Sequence, residues 1–251
     1  MVDVAPGSEE PFPPEDRPVG RRALLGMLAL GGAGILWGAK VQQRMEEVLR
    51  PLTVNDQTGL SSFLPSAGRF RIYTVTGSLP ARSDDDYRLT VDGAVDRPLT
   101  LDLADLRDRL PQTSMTRDFQ CVTGWRVAEV PWRGVTLPDL LTEAGLQPGA
   151  THVRFWSFDG VYTETLTLEQ AERDDVLVAH HMLGKPVTRE HEGPVRLYVA
   201  PMYGYKSLKW LERIEVVEAL DAPSDPGYWE RLGYDVDAWV GRSNGLDDAP
   251  T

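Results

Sequence analysis

The stretch Arg117-Asp118-Phe119-Gln120-Cys121-Val122-Thr123-Gly124-Trp125-Arg126 holds the one cysteine of a 251-residue chain, with an arginine on either side of it. A single cysteine has no internal disulfide partner, and nothing beside it forms a C-x-x-C pair or a zinc cluster. Read alone, Cys121 is a small buried hydrophobe, the usual place of a free cysteine. Read as a thiolate, it is a soft ligand or nucleophile whose partners must come from elsewhere in the chain. The sequence around it decides between the two.

Residues 113–119 read as a strand running into this stretch. Beyond it, Trp132-Arg133-Gly134-Val135 reads as a turn and Leu137 to Ala144 as a helix ended near Gly145. His152-Val153-Arg154-Phe155-Trp156-Ser157-Phe158 alternates apolar with polar residues and is closed by Asp159-Gly160, which makes it the clearest strand. Further strands are expected over 70–76, 87–93, 195–200 and 214–217, with a short apolar segment at 176–179. The apolar positions 101, 103, 106 and 110 suggest a helix stopped by Pro111, and 168–173 suggest one or two helical turns. Many strands with short helices between them, without long βα alternation, give a mixed, sheet-rich α+β fold.

The N-terminal part differs in kind. Residues 1–22 are rich in Pro, Glu and Asp and read as disordered. Arg21-Arg22 then abuts an uncharged Gly- and Ala-rich run from Ala23 to Ala39, the layout of a twin-arginine export signal. Residues 23–50 are therefore expected to be a signal or an uncleaved anchor followed by a linker helix, and 51–251 the functional domain. Export of a folded chain fits a cofactor inserted before translocation, and places the protein in the periplasm or on the outer face of the membrane. A formal net charge of -12 with no basic run argues against nucleic-acid binding. Any anionic ligand must be met by local arginines and lysines.

The pieces Cys121-Val122-Thr123-Gly124-Trp125 with Pro131-Trp132, Gly193-Pro194-Val195-Arg196-Leu197, Pro201-Met202-Tyr203-Gly204-Tyr205-Lys206-Ser207-Leu208-Lys209, and Gly227-Tyr228-Trp229-Glu230-Arg231-Leu232-Gly233-Tyr234 resemble the molybdopterin-dependent sulfite oxidase family. Within it they are most similar to the periplasmic MsrP-like catalytic-subunit branch. The resemblance implies a sulfite-oxidase-type molybdopterin-binding fold, molybdenum and molybdopterin as cofactors, and Cys121 as the molybdenum ligand. It matches Tyr73, Ser157, His191, Arg196, Ser207, Leu208 and Lys209 to cofactor-binding positions, with Lys209 at the phosphate end. Arg117 and Arg126 flank the ligand as candidate catalytic residues, and Tyr203 and Tyr205 as candidate pocket walls. The family often has Asn-Gly where this chain has Leu183-Gly184, so His180, His181 or His191 is a candidate substitute for that contact.

The resemblance implies transfer of an oxygen atom, or its equivalent two electrons, with a sulfoxide such as methionine sulfoxide as substrate. Nothing in the chain resembles a haem-binding C-x-x-C-H motif, so electrons are expected from a separate haem protein, membrane-bound or soluble, serving a monomeric catalytic subunit. Two alternatives stand beside this reading: a sulfite oxidase, and a cofactor-free binding module of the same fold.

Overall fold

The computed structural model describes residues 70, 74, 76, 79–122, 126–218 and 227–240. The export segment, the linker helix, Tyr73 and most of the strand expected over 70–76 lie outside the described residues.

Two five-stranded sheets carry the fold. The first has the order β2 (Leu99–Leu101), β1 (Leu89–Gly93), β10 (Leu211–Val217), β5 (His152–Ser157), β6 (Thr163–Thr167). Its pairs are antiparallel except β1 with β10. Along β5, Val153, Phe155 and Ser157 are buried while the residues between them are partly exposed. That is the period of two expected when one face of a strand covers a core.

The second sheet runs β3 (Thr113–Gln120), β4 (Arg126–Thr136), β7 (Val176–Met182), with β8 (Lys185–Pro186) and β9 (Arg196–Val199) both paired to β7. Strand β7 is buried on both faces, and its alternation sorts residues between two cores. Val176 and Val178 face the large core shared with the first sheet, whereas Leu177 and Ala179 face a smaller one with Phe119, Trp132 and Tyr198. Strand β9 follows suit, with Leu197 and Val199 in the first and Tyr198 in the second. Arg196 is therefore presented on the face of the smaller core, and its guanidinium lies over the Phe119 and Trp132 rings.

Helix α1 (Leu137–Ala144) matches its expected span. Thr136 caps it, its hydroxyl accepting from the Asp139 N–H and donating to the Asp139 carboxylate at 2.6 Å. Leu137, Leu140, Leu141 and Ala144 form its buried stripe. The short α2 (Leu168–Ala171) is held by a reciprocal Thr167–Gln170 capping box.

Two expectations are corrected. Trp132–Val135 is not a turn, since β4 runs straight through it. Gly134 sits at a register shift where a Cβ would fall 2.1 Å from the Val178 carbonyl, so this glycine marks close strand approach, not chain reversal. The helix expected over 101–110 is also shorter. Leu101 pairs with Leu89 in the sheet. Helical structure begins only beyond Asp102, whose carboxylate accepts from the Asp105 N–H at 2.8 Å, and ends in a π-type turn over Asp105–Arg109. Strand β6, Thr-Glu-Thr-Leu-Thr, was not anticipated; its single apolar residue gives no alternation to read. Among the described residues no helix is long and apolar enough to cross a membrane.

Candidate active site

Cys121 follows β3 directly, at the margin of the smaller core. The buried Phe119 ring is the hub of this region. Phe70 lies 5.3 Å from it and Trp132 6.4 Å, centroid to centroid, and the Arg196 guanidinium sits 5.4 Å above it. Gly204 comes so near that a Cβ there would be 2.4 Å from the ring. The Gly204 N–H donates to the Gln120 carbonyl at 2.7 Å, which ties the 201–210 loop to the residue next to Cys121. Trp132 and Tyr198 stack at 4.0 Å behind the hub, and the Tyr198 hydroxyl donates to the Asp118 carbonyl at 2.6 Å. The sequence thus brings Cys121, β9 and the 201–210 loop to one place through aromatic packing.

Arg196 is buried. Its Nη1 donates to Glu192 Oε2 at 2.7 Å and its Nη2 to the Ser207 carbonyl at 3.2 Å, while its Nε is buried with no hydrogen-bond partner. Lys209 ion-pairs with the other oxygen of Glu192. One carboxylate therefore meets two cations. Ser207 is buried and its Oγ accepts from the Val199 N–H at 3.0 Å, which leaves its own O–H free to donate. Leu208 is buried and fixed by its carbonyl, which accepts from the Leu197 N–H.

Ser157 is brought to the same end of the first sheet. It pairs in register with Leu211, and the Phe158 N–H donates to the Trp210 carbonyl, one residue beyond Lys209. Its Oγ accepts from the Asp159 N–H at 3.1 Å. The His191 ring stands edge-on to Phe70 at 5.4 Å, and its carbonyl accepts from Arg196. Cys121, Arg196, Ser207, Leu208, Lys209 and His191 are thus linked through Phe119, Phe70 and Glu192, and Ser157 through Trp210.

Other candidates are placed differently. Arg117 is exposed and its guanidinium donates to the Thr116 carbonyl. Arg126 pairs with Asp118 at 3.2 Å on the partly exposed start of β4. His180 is buried on β7, its Nε2 bound to Gln112 Oε1 at 2.9 Å and its Nδ1 facing that of His181 at 2.7 Å. Burial first, then His181, Arg107 and Arg133, lower its pKa to about 4, so this imidazole is neutral. Leu183-Gly184 forms the two-residue turn of the β7–β8 hairpin, with both residues at positive φ. An Asn is at ease in that conformation and a leucine is not, so the departure from Asn-Gly puts an exposed, strained Leu at the turn.

Three residues, Glu192, Lys206 and Tyr234, emerge only in three dimensions. Glu192 bridges Arg196 and Lys209. Lys206 is buried between Glu164 and Glu230. Tyr234 packs edge-on against Tyr205 and Trp229 at 5.2 and 5.5 Å, and burial together with the nearby Cys121 thiolate pushes its phenol up to about 12. Tyr203 and Tyr205 are buried, and the Tyr205 hydroxyl donates to the Asp235 carbonyl at 2.6 Å.

This donor set fits a molybdopterin. It offers one thiol outside any disulfide to a metal whose other sulfurs come from the pterin dithiolene, a buried arginine with an unanswered Nε, a lysine with its side chain 17% exposed, and serine hydroxyls with protons to donate.

Comparison with known proteins agrees. Residues 76–229 match the family described as the oxidoreductase molybdopterin binding domain, and the chain belongs to that family. It is 31% identical over 184 residues to the sulfite oxidase of Gallus gallus, covering 62% of this chain and 39% of that protein. It is 26% identical over 261 residues to the protein-methionine-sulfoxide reductase catalytic subunit MsrP of Ralstonia nicotianae, covering 86% of this chain and 76% of that one. The crystal structure of the sulfane dehydrogenase SoxCD from Paracoccus pantotrophus shares the fold, with a TM-score of 0.52 at 24% identity over 59% of this chain and 42% of that one. The protein is a molybdopterin-dependent oxidoreductase of the sulfite oxidase family, similar to its MsrP-like branch.

Proposed function

We propose that this enzyme reduces a sulfoxide or a similar neutral oxide, taking up two electrons and two protons and releasing the reduced compound and water. The bound cofactor would supply oxygen-atom transfer coupled to a two-electron change. Cys121 would give its thiolate to the metal. Arg196 and Lys209 would neutralise the pterin phosphate, with Ser207, the Leu208 backbone, Ser157, His191 and Tyr73 as further contacts, and Arg117 and Arg126 as rim charges.

One observation carries the choice of a neutral substrate: the cations near the site are already spent. Arg196 and Lys209 already face Glu192, and Lys206 is enclosed by Glu164 and Glu230. The two cations that meet on Glu192 are the ones a cofactor phosphate would engage. An anion such as sulfite would then find none of these three cations unmatched, and a buried anion without one is costly. A neutral sulfoxide needs none. Electrons would come from a haem protein, membrane-bound or soluble, and the Arg21–Arg22 segment supports twin-arginine export to the periplasm.

The test is a substrate screen on molybdenum-loaded protein, with a reduced dye for reductase activity and ferricyanide for sulfite oxidation. Reduction of methyl sulfoxides is expected, and sulfite oxidation as the faster reaction would overturn the reading. Cys121→Ser should lower turnover by more than the roughly 100-fold typical of outer-shell changes, and X-ray absorption at the molybdenum edge should lose one sulfur neighbour. An unchanged sulfur count would remove Cys121 from the metal.

A further inference from the structure

The most unusual group outside the cofactor contacts is a buried lysine between two glutamates. Lys206 Nζ donates to Glu164 Oε1 and Glu230 Oε1 at 2.6 Å each and to the Thr165 carbonyl at 2.9 Å, which uses all three of its N–H bonds. The three side chains are 0–1% exposed. The second oxygen of each carboxyl is buried without a hydrogen-bond donor. Both carboxyls border Gly227, where a Cβ would lie 2.5 Å from Glu230 Oε2 and 2.9 Å from Glu164 Oε1.

One ammonium does not neutralise two carboxylates, and an uncompensated charge at this depth is strongly unfavourable. A single proton on the pair removes the excess and gives an orphan oxygen its donor. Desolvation by burial, with the Glu230 carboxylate adding to it, pushes Glu164 well above its ordinary 4.5 despite Lys206. Tyr162 and Tyr205 are the other titratable groups facing the cluster. Burial and the same two glutamates raise both phenols, so neither contributes a charge. Arg231 turns to the Thr163 hydroxyl at 3.2 Å, on the exposed side.

The cluster joins three separate parts of the chain: β6, the 203–209 loop and the closing segment 227–240. That segment lies along the loop. Tyr228 N–H donates to the Thr163 carbonyl and Tyr203 N–H to the Ala238 carbonyl, both at 2.9 Å, and Val240 N–H donates to the Pro201 carbonyl at 3.0 Å. It also carries Tyr234 to the vicinity of Cys121 and Trp229 to the margin of the smaller core.

We propose that Glu164, Lys206 and Glu230 form a proton-dependent clasp: with one proton shared by its carboxyls it fastens residues 227–240 against the 203–209 loop beside Cys121, and without that proton the segment loosens. The sign follows from linkage. The proton is held more tightly in the fastened state than in the loosened one, where a solvated carboxyl returns to its ordinary range. Fastening is therefore strongest below that range, and it weakens by about tenfold per pH unit above it until the raised value is passed.

The experiment is hydrogen–deuterium exchange of the 227–240 amides in the cofactor-loaded full chain, from about pH 5 to about pH 9, each rate divided by its intrinsic value. Protection in the wild type should fall with pH by about tenfold per unit over part of that range. Glu164→Gln, which does not ionise, should keep the segment protected and make it independent of pH; Glu230→Gln serves the same purpose should the first variant fail to fold. A flat wild-type profile, or the same slope in wild type and variant, would overturn the clasp. The readout involves no substrate, so its failure is separable from failure of the sulfoxide reading.

Discussion

Lys206 and Lys209 stand three residues apart in one loop and have opposite surroundings. Lys209 shares the Glu192 carboxylate with Arg196, so two cations meet on one anion. Lys206 is shared by two carboxyls, Glu164 and Glu230, so its corner has one cation to two anions. Exposure follows the same division, with the Lys209 side chain at 17% and that of Lys206 at 1%. The pair of cations lies where the proposed cofactor phosphate would reach the more exposed of the two. The negative surplus is sealed in the core, where only a proton can correct it. Two lysines three residues apart are thus proposed to serve binding in one case and closure in the other.

The largest effect expected from breaking this contrast is on the closure side. Lys206→Met leaves two buried carboxyls without their cation, and loss of one partner from a buried ion pair costs about 3–5 kcal/mol. Denaturant unfolding of the loaded enzyme should register a loss of that order near neutral pH. The loss should shrink in acid, where both carboxyls can be protonated. A variant as stable as the wild type would mean that the triad contributes nothing to holding the chain together.

The binding side should respond in a different currency. Arg196→Met with Lys209→Met removes both cations that can meet the phosphate, and a hydrogen bond to a charged group is worth about 1.5–3 kcal/mol. Pterin affinity should fall by well over tenfold, read as pterin and molybdenum per purified chain. Lys209→Met alone should do less, because Arg196 keeps its buried place. If the double variant kept its full complement of cofactor, the assignment of these two residues would fail.

The unequal legibility of these two corners has a physical reason. Arg196 is legible because an arginine inside the apolar run Val195–Ala200 must find an anion or a carboxylate. The strand β5 and helix α1 are equally open to reading, since alternation and a Thr cap with a following Pro are local signals. Lys206 is opaque, because its partners lie 42 and 24 residues away and no local pattern names them. The same holds for Tyr234, whose proximity to Cys121 depends on the path of the closing segment along the 203–209 loop. Gly134 misled in the opposite way, since a glycine signals close approach as readily as it signals a turn.

The smallest effect is expected at the rim, and it separates the substrate classes. Arg126 and Asp118 pair at 3.2 Å with side chains 34% and 42% exposed, and such a pair contributes about 0–1 kcal/mol. Arg126→Gln should therefore leave the melting temperature almost unchanged, unlike either buried cluster. Its effect on catalysis depends on what the enzyme binds. A neutral sulfoxide gains little from a solvent-screened guanidinium, so KM for it should stay within about twofold of the wild type. An anionic substrate approaching a protein of net charge -12 relies on local positive charge to reach the site, so its KM should rise, and rise more at low salt. Measuring KM for a methyl sulfoxide in wild type and variant at two ionic strengths decides the matter. A marked, salt-dependent rise for the neutral compound would make Arg126 a direct substrate contact, and would break the contrast between buried cations that are already matched and a rim cation that is not required.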